Sequence, residues 1–185
     1  MDNLAKKLLP ESEIGAFQTT LDALKARQDW LPLREFLKEK SELYPDDYYI
    51  LTELSSICYL TNHPQEALNA AQKAKDLEPD DDVLVSYNLG MALSLNEMYL
   101  EAIENFDTIL SMSIDDIAYG EHGEGRKWAQ SIYNDSLYMK GVCYMELGKG
   151  EDAKKCLISH LSNRRKGLYS DFSRKQVLRR LRMLD

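Results

Sequence analysis

Apolar residues along this chain recur at spacings of three and four, the signature of amphipathic helices. Trp30 to Leu43 carries Leu33, Phe36, Leu37 and Leu43 on one face. Gln65 to Leu77 carries Ala67, Leu68, Ala71 and Ala74 in the same way. Each run ends at a proline followed by two acids, Pro45-Asp46-Asp47 and Pro79-Asp80-Asp81, and the two prolines are 34 residues apart. Proline lacks the amide that would continue a helix, so both sites predict a stop and a turn.

A second register runs with the first. Ser55, Gly90 and Gly141 each precede an alanine (Ala67, Ala102, Ala153) by 12 residues. Glycine inside a helix costs about 1 kcal/mol relative to alanine, so the pattern predicts close packing, with each small residue facing an alanine on the next helix. Short breaks separate the members of each pair: Thr61-Asn62-His63-Pro64, Asn96-Glu97-Met98 and Gly148-Lys149-Gly150. The expected unit is a helical hairpin, repeated.

Asn88-Leu89-Gly90 followed by Tyr99-Leu100-Glu101-Ala102-Ile103-Glu104-Asn105-Phe106 resembles the tetratricopeptide repeat (TPR), whose period is 34 residues. The stretch from Tyr48 to Asp81 matches through Leu54, Ala67, Leu68, Ala74 and Pro79; a third match runs from Tyr138-Met139-Lys140-Gly141 to Glu151-Asp152-Ala153. Ile14 to Asp47 is a degenerate copy, with Leu21 and Leu33 in the small-residue places. The resemblance implies an all-α fold: a right-handed α-α superhelical solenoid of TPR-like hairpins with a C-terminal capping helix. The expected organisation is an N-terminal segment over 1–13 and a repeat domain over 14–163. Its hairpins span about 14–47, 48–81, 82–114 and 132–163, and a basic capping helix over 164–185 closes it.

The register breaks once. Gly90 to Gly141 is 51 residues, 17 more than one period. Gly120, Gly123 and Gly125 place the surplus in an inserted loop over about 115–131, with helix resuming at Arg126.

In the family the first helix of each hairpin lines a concave groove that takes peptides or partner helices. The resemblance therefore implies a partner-binding groove that includes Tyr49, Thr52, Ser56, Tyr59, Tyr87, Asn88, Met91, Tyr138 and Val142. Tyrosine suits such a face because it offers large contact area, little entropy to lose and one polar handle. The alternative role for each is core packing between repeats. Some family members clamp the C-terminal carboxylate of heat-shock chaperones with lysine, asparagine and arginine. Here Thr52, Ser56, Tyr87, Met91, Tyr138 and Val142 stand in the cationic and amide places, so that clamp is not expected. In the insertion, Tyr119, His122 and Trp128 are candidate contacts.

Charge divides the chain. Residues 1–125 hold 9 Lys+Arg against 25 Asp+Glu, a net of −16; residues 126–185 hold 14 against 6, a net of +8. The overall −8 argues against general nucleic-acid binding, which depends on neutralising phosphates. No apolar run approaches the ~20 residues that cross a bilayer, the first residues do not read as a secretory signal, and three widely spaced cysteines (Cys58, Cys143, Cys156) suit a reducing compartment. A cytoplasmic protein with no membrane partner is expected.

Catalysis and cofactors have little to stand on. Glu121, His122 and Glu124 near Asp115 and Asp116 supply one histidine, short of the converging set a metal needs. The three glycines follow no strand and make no G-x-G-x-x-G, which removes a dinucleotide site. His63 and His160 have no sequence neighbours that form a catalytic constellation. The expectation is a non-catalytic scaffold without cofactor or metal that binds a protein or peptide. Two alternatives stay open: a small acidic inhibitor of immunity type that masks a basic partner, and an enzyme or metal-binding protein acting through residues 115–128.

Overall fold

The computed structural model describes residues 6–78, 82–121 and 123–184; Pro79 and His122, singled out above, lie outside them. The described chain is all-helical, with ten helices: α1 (Glu11–Arg27), α2 (Trp30–Leu43), α3 (Tyr48–Leu60), α4 (Pro64–Leu77), α5 (Val83–Leu95), α6 (Tyr99–Ser111), α7 (Ile114–Tyr119), α8 (Arg126–Glu146), α9 (Gly150–Arg165) and α10 (Arg174–Arg182). They form two compact units, Met1–Asp80 and Asp81–Asp185.

In the first unit α1 packs on α2, α2 on α3 and α3 on α4. Leu21, Leu33, Leu37, Ile50, Cys58 and Ala67 are fully enclosed. Ser55 donates a buried hydrogen bond to the carbonyl of Ala67 (3.0 Å), so the small-residue place of this hairpin does meet its alanine, through the backbone. The acidic turn at Pro45 serves two ends of chain. The Asp47 carboxylate accepts from the amide of Ile50 (3.2 Å), capping α3, and from the amide of Leu9 (3.1 Å), while Asp46 accepts from Lys7 (2.9 Å). An N-cap and a tie to the N-terminal segment thus hang on one side chain. Asp47→Ala is expected to lower stability by about 1–2 kcal/mol and to speed proteolysis before residue 10; urea unfolding and limited trypsin digestion read both.

In the second unit α5 packs on α6, α6 on α8, α8 on α9, and α9 on α10. Gly90 and Gly141 are needed here, but for a neighbour one turn beyond the expected alanines. A Cβ on Gly90 would stand 2.8 Å from the ring edge of Phe106, and one on Gly141 would stand 3.1 Å from Leu157. Phe106 and Leu157 are the residues four places after Ala102 and Ala153. The small residue admits a large side chain from the partner helix, with both alanines fully buried alongside.

The corners share one geometry that the sequence conceals. Gln28, Asn62, Glu97 and Gly148 all take positive φ, between 57° and 69°. The residue after each returns its amide to the carbonyl five residues back, at 2.8–3.1 Å: Asp29 to Leu24, His63 to Cys58, Met98 to Leu93, Lys149 to Tyr144. This is the Schellman closure of a helix end. Gly167 repeats it after α9, with Leu168 bonded to Asn163 (3.1 Å).

Two expected boundaries are corrected. The stretch expected as an inserted loop over 115–131 carries a helix, α7, at Ile114–Tyr119, while α8 begins at Arg126, where helix is expected to resume. Ser113 caps α7 by accepting from the amide of Asp116 (3.0 Å), and Asp115 and Asp116 sit in its first turn, where acids suit the helix dipole. Ile117 and Ala118 then bury themselves against Val83, Ile109, Ala129 and Ile132. The capping helix, expected over 164–185, is confined to Arg174–Arg182. Residues 166–173 before it form a non-helical strap.

Candidate functional site

The expected groove residues divide by burial. On α3, Tyr49, Thr52, Ser56 and Tyr59 fall at i, i+3, i+7 and i+10, which places them along one face. Tyr49 is exposed, Ser56 and Tyr59 are half-buried, and Thr52 is buried with its hydroxyl on the carbonyl of Tyr48 (2.7 Å). Tyr49 also meets Phe17 edge-on at 6.4 Å. On α5, Tyr87 is half-buried over the Phe106 ring (6.2 Å), while Asn88 and Met91 are buried. On α8, Val142 is half-buried and Tyr138 is 5% exposed, stacked on Phe172 with ring centroids 4.0 Å apart. Tyr138 is therefore the floor beneath the strap, so a partner at this position meets the strap and α10 first.

Of the insertion residues, Tyr119 is 70% exposed. Trp128 is half-buried and packs with Tyr87, Met112, Ile114 and Tyr133 against the Ile109–Ile117–Ile132 cluster. Its position joins α7 to α8 and leaves part of the indole at the surface.

Sequence reasoning saw no group gathered around His160; the fold gathers one. The His160 Nε2 lies 2.9 Å from Ser170 Oγ, the Ser170 hydroxyl hydrogen-bonds Asp135, and the amide of Asp171 donates to both Asp135 oxygens (3.2 and 3.3 Å). Beside them Asn163 donates to Asn134 (3.0 Å), and Asn134 donates to the carbonyl of Tyr169 (2.8 Å). Asn134 and His160 are fully enclosed and Asp135 nearly so. Burial pushes the Asp135 carboxyl up to about 6 and the His160 imidazole down to about 4. A catalytic serine would give its proton to histidine, which a carboxylate would orient. Here the serine stands in the middle: it donates to the carboxylate, and its oxygen faces the imidazole and the amide of Phe172 (3.0 Å). The cluster fastens residues 169–172 of the strap onto α8 and α9. No periodic pattern signals it, because its bonded partners are up to 36 residues apart.

Burial raises all three thiols, Cys58 to about 11, so thiolate chemistry is disfavoured at neutral pH. The cysteines are free. Among the described residues, no three of His, Cys, Asp and Glu are placed to hold a metal ion, and no helix is long and apolar enough to cross a membrane.

Comparison with known proteins agrees with the hairpin geometry. The family model for the tetratricopeptide repeat matches residues 135–159, from the strap-bearing part of α8 through most of α9. The fold resembles the solved structure of the MamA RS-1 ArsTM double mutant with a TM-score of 0.59 and 16% identity, over 80% of this chain and 74% of that one. No curated protein matches in sequence. The fold class is the all-α solenoid of helical hairpins expected from the resemblance.

Proposed function

Taking the chain as a member of the tetratricopeptide-repeat family, a fold of protein-interaction modules, we propose that it is a non-catalytic scaffold. It binds a protein or peptide partner through the first-helix faces that line the groove in this family. The observation carrying this reading is the α3 stripe of Tyr49, Ser56 and Tyr59, whose side chains keep part of their surface at the solvent while the residues between them, from Ile50 to Ser55 and at Ile57 and Cys58, are buried. In the second unit Tyr87, which stands in the register of Thr52, is half-buried on α5. Binding aromatics of this kind concentrate interface energy in a few residues.

The test is affinity purification from the native cell, followed by rebinding of the captured partner to purified variants. Tyr49→Ala/Tyr59→Ala is expected to weaken binding by at least tenfold, and Tyr87→Ala severalfold. Leu100→Ala, an exposed apolar position on α6, should change it less than twofold. Equal binding by all three variants would reject the first-helix faces. A second reading, masking of a basic partner, is supported by the −16 of residues 1–125 and requires association that slows steeply with salt.

A further inference from the structure

A cavity of about 350 Å³ opens at the C-terminal end of the second unit, lined by Tyr138, Gln176, Arg179, Arg180 and Met183. Its two guanidinium groups have no carboxylate partner among the described residues, while Arg34, Lys25 and Arg126 elsewhere each have one. The hydroxyl of Tyr138 likewise makes no hydrogen bond among the described residues, although the ring is stacked on Phe172. The cavity's position is fixed. Val177 of α10 is fully buried, Ser173 and Gln176 close a capping box at the helix start, and the buried Asp135–Ser170–His160 cluster ties down the strap before it.

We propose that this cavity binds a short acidic segment of a protein, two neighbouring carboxylates meeting the forks of Arg179 and Arg180. Planar guanidinium groups take carboxylates through paired hydrogen bonds, and a pocket already built loses little entropy on binding. Charge complementarity supports the choice. Eight cations stand between Arg164 and Arg182, against the single acid Asp171, so the local field is positive in a chain that is acidic overall. Nucleic acid fits less well. The remaining −16 would repel a long polyanion, and the one aromatic in the cavity already has its stacking partner in Phe172. The site uses none of the α3 residues, shares only Tyr138 with the expected groove set, and goes beyond the first-helix reading.

The experiment titrates the full chain with fluorescein-labelled hexaglutamate by anisotropy. Saturable binding is expected. Arg179→Ala/Arg180→Ala should weaken it at least tenfold, and Arg179→Lys/Arg180→Lys, which keeps charge but loses the fork, about threefold to tenfold. Arg174→Ala/Lys175→Ala removes two cations of the same helix outside the cavity and should change it less than twofold. Far-UV circular dichroism and the melting temperature check that α10 is intact in each variant. The proposal is overturned if hexaglutamate does not bind, if the lysine variant binds as wild type, or if the Arg174/Lys175 variant loses as much as the cavity variant. Competition by inorganic phosphate at concentrations below those of acetate, or tighter binding of a 20-nucleotide single strand with the same arginine dependence, overturns it in favour of a phosphate ligand. Loss of the cellular partner in the Tyr49/Tyr59 variant but not the arginine variants would leave the first-helix reading standing and remove this one.

Discussion

Phe106→Ala is expected to destabilise the protein by about 3–5 kcal/mol, the largest effect of any single substitution considered. The ring is wholly buried, covers Gly90 and supports Tyr87. Its removal opens a cavity between α5 and α6 and takes away an aromatic pair worth about 0.5–1.5 kcal/mol. The coupling with Gly90 gives a sharper test than the magnitude. In the wild-type background Gly90→Ala drives a methyl to 2.8 Å from the ring edge. Overpacking of a close-packed core costs about 1–3 kcal/mol, more than the ~1 kcal/mol of helix propensity gained. With Phe106 already alanine, the same Gly90→Ala change meets an empty space and should stabilise. Urea unfolding of the four proteins closes the cycle. If Gly90→Ala has the same sign in both backgrounds, the glycine is not there for the ring.

The second large effect is expected at Asp135. Burial raises its carboxyl from 3.8 to about 6, so between these values the folded chain holds a proton that the unfolded chain releases. Stability contributed by this group falls as pH rises from about 4 to 6 and stays reduced above it. His160 behaves oppositely: lowered from 6.5 to about 4, it is neutral in the folded chain where the unfolded chain would be charged, so its contribution rises over nearly the same interval. The two slopes offset each other in the wild type. Asp135→Asn keeps an oxygen to accept from Ser170 and Asp171 but removes the buried charge. The variant should be more stable than wild type by about 1–3 kcal/mol at pH 8, with the difference vanishing near pH 4. Chemical denaturation at pH 4, 6 and 8 measures it. A variant less stable than wild type at pH 8 would mean that the negative charge itself, rather than the hydrogen-bonding oxygens, secures the strap.

The hairpins were legible because their information is local and periodic. A face of leucines and alanines at 3.6-residue spacing survives in any environment, and Gly90 and Gly141 stand out because an uncompensated helical glycine is costly. What each glycine faces was not legible. A 12-residue separation points equally to Ala102 or to the residue one turn on, and only the packing shows that Phe106 needed the room. α7 was hidden by composition: Gly120, Gly123 and Gly125 drew the boundary upstream, although Ser113 with two acids behind it is a cap signal. The breaks at Asn62 and Glu97 were legible, but the left-handed closure was not, because Gln28 and Glu97 carry no signal for positive φ and Asn62 carries one weaker than glycine's. Tyr138 reads as a groove residue by register, and its burial under Phe172 depends on a strap that no repeat pattern describes. The polar cluster at His160 was beyond reach for the same reason, since buried hydrogen-bond partners leave no periodic trace.

The 17 surplus residues enter after Ser111, where one hairpin hands over to the next, and leave the left-handed corner at Glu97 and the one at Gly148 unaltered. A chain closed by the same five-residue backbone loop at each bend can therefore gain or lose material at its handovers while every bend keeps its shape. A tag inserted between α7 and α8, which leaves the buried Ile117 and Ala118 in place, should disturb the second unit less than a single residue added inside the bend at Glu97 or at Gly148.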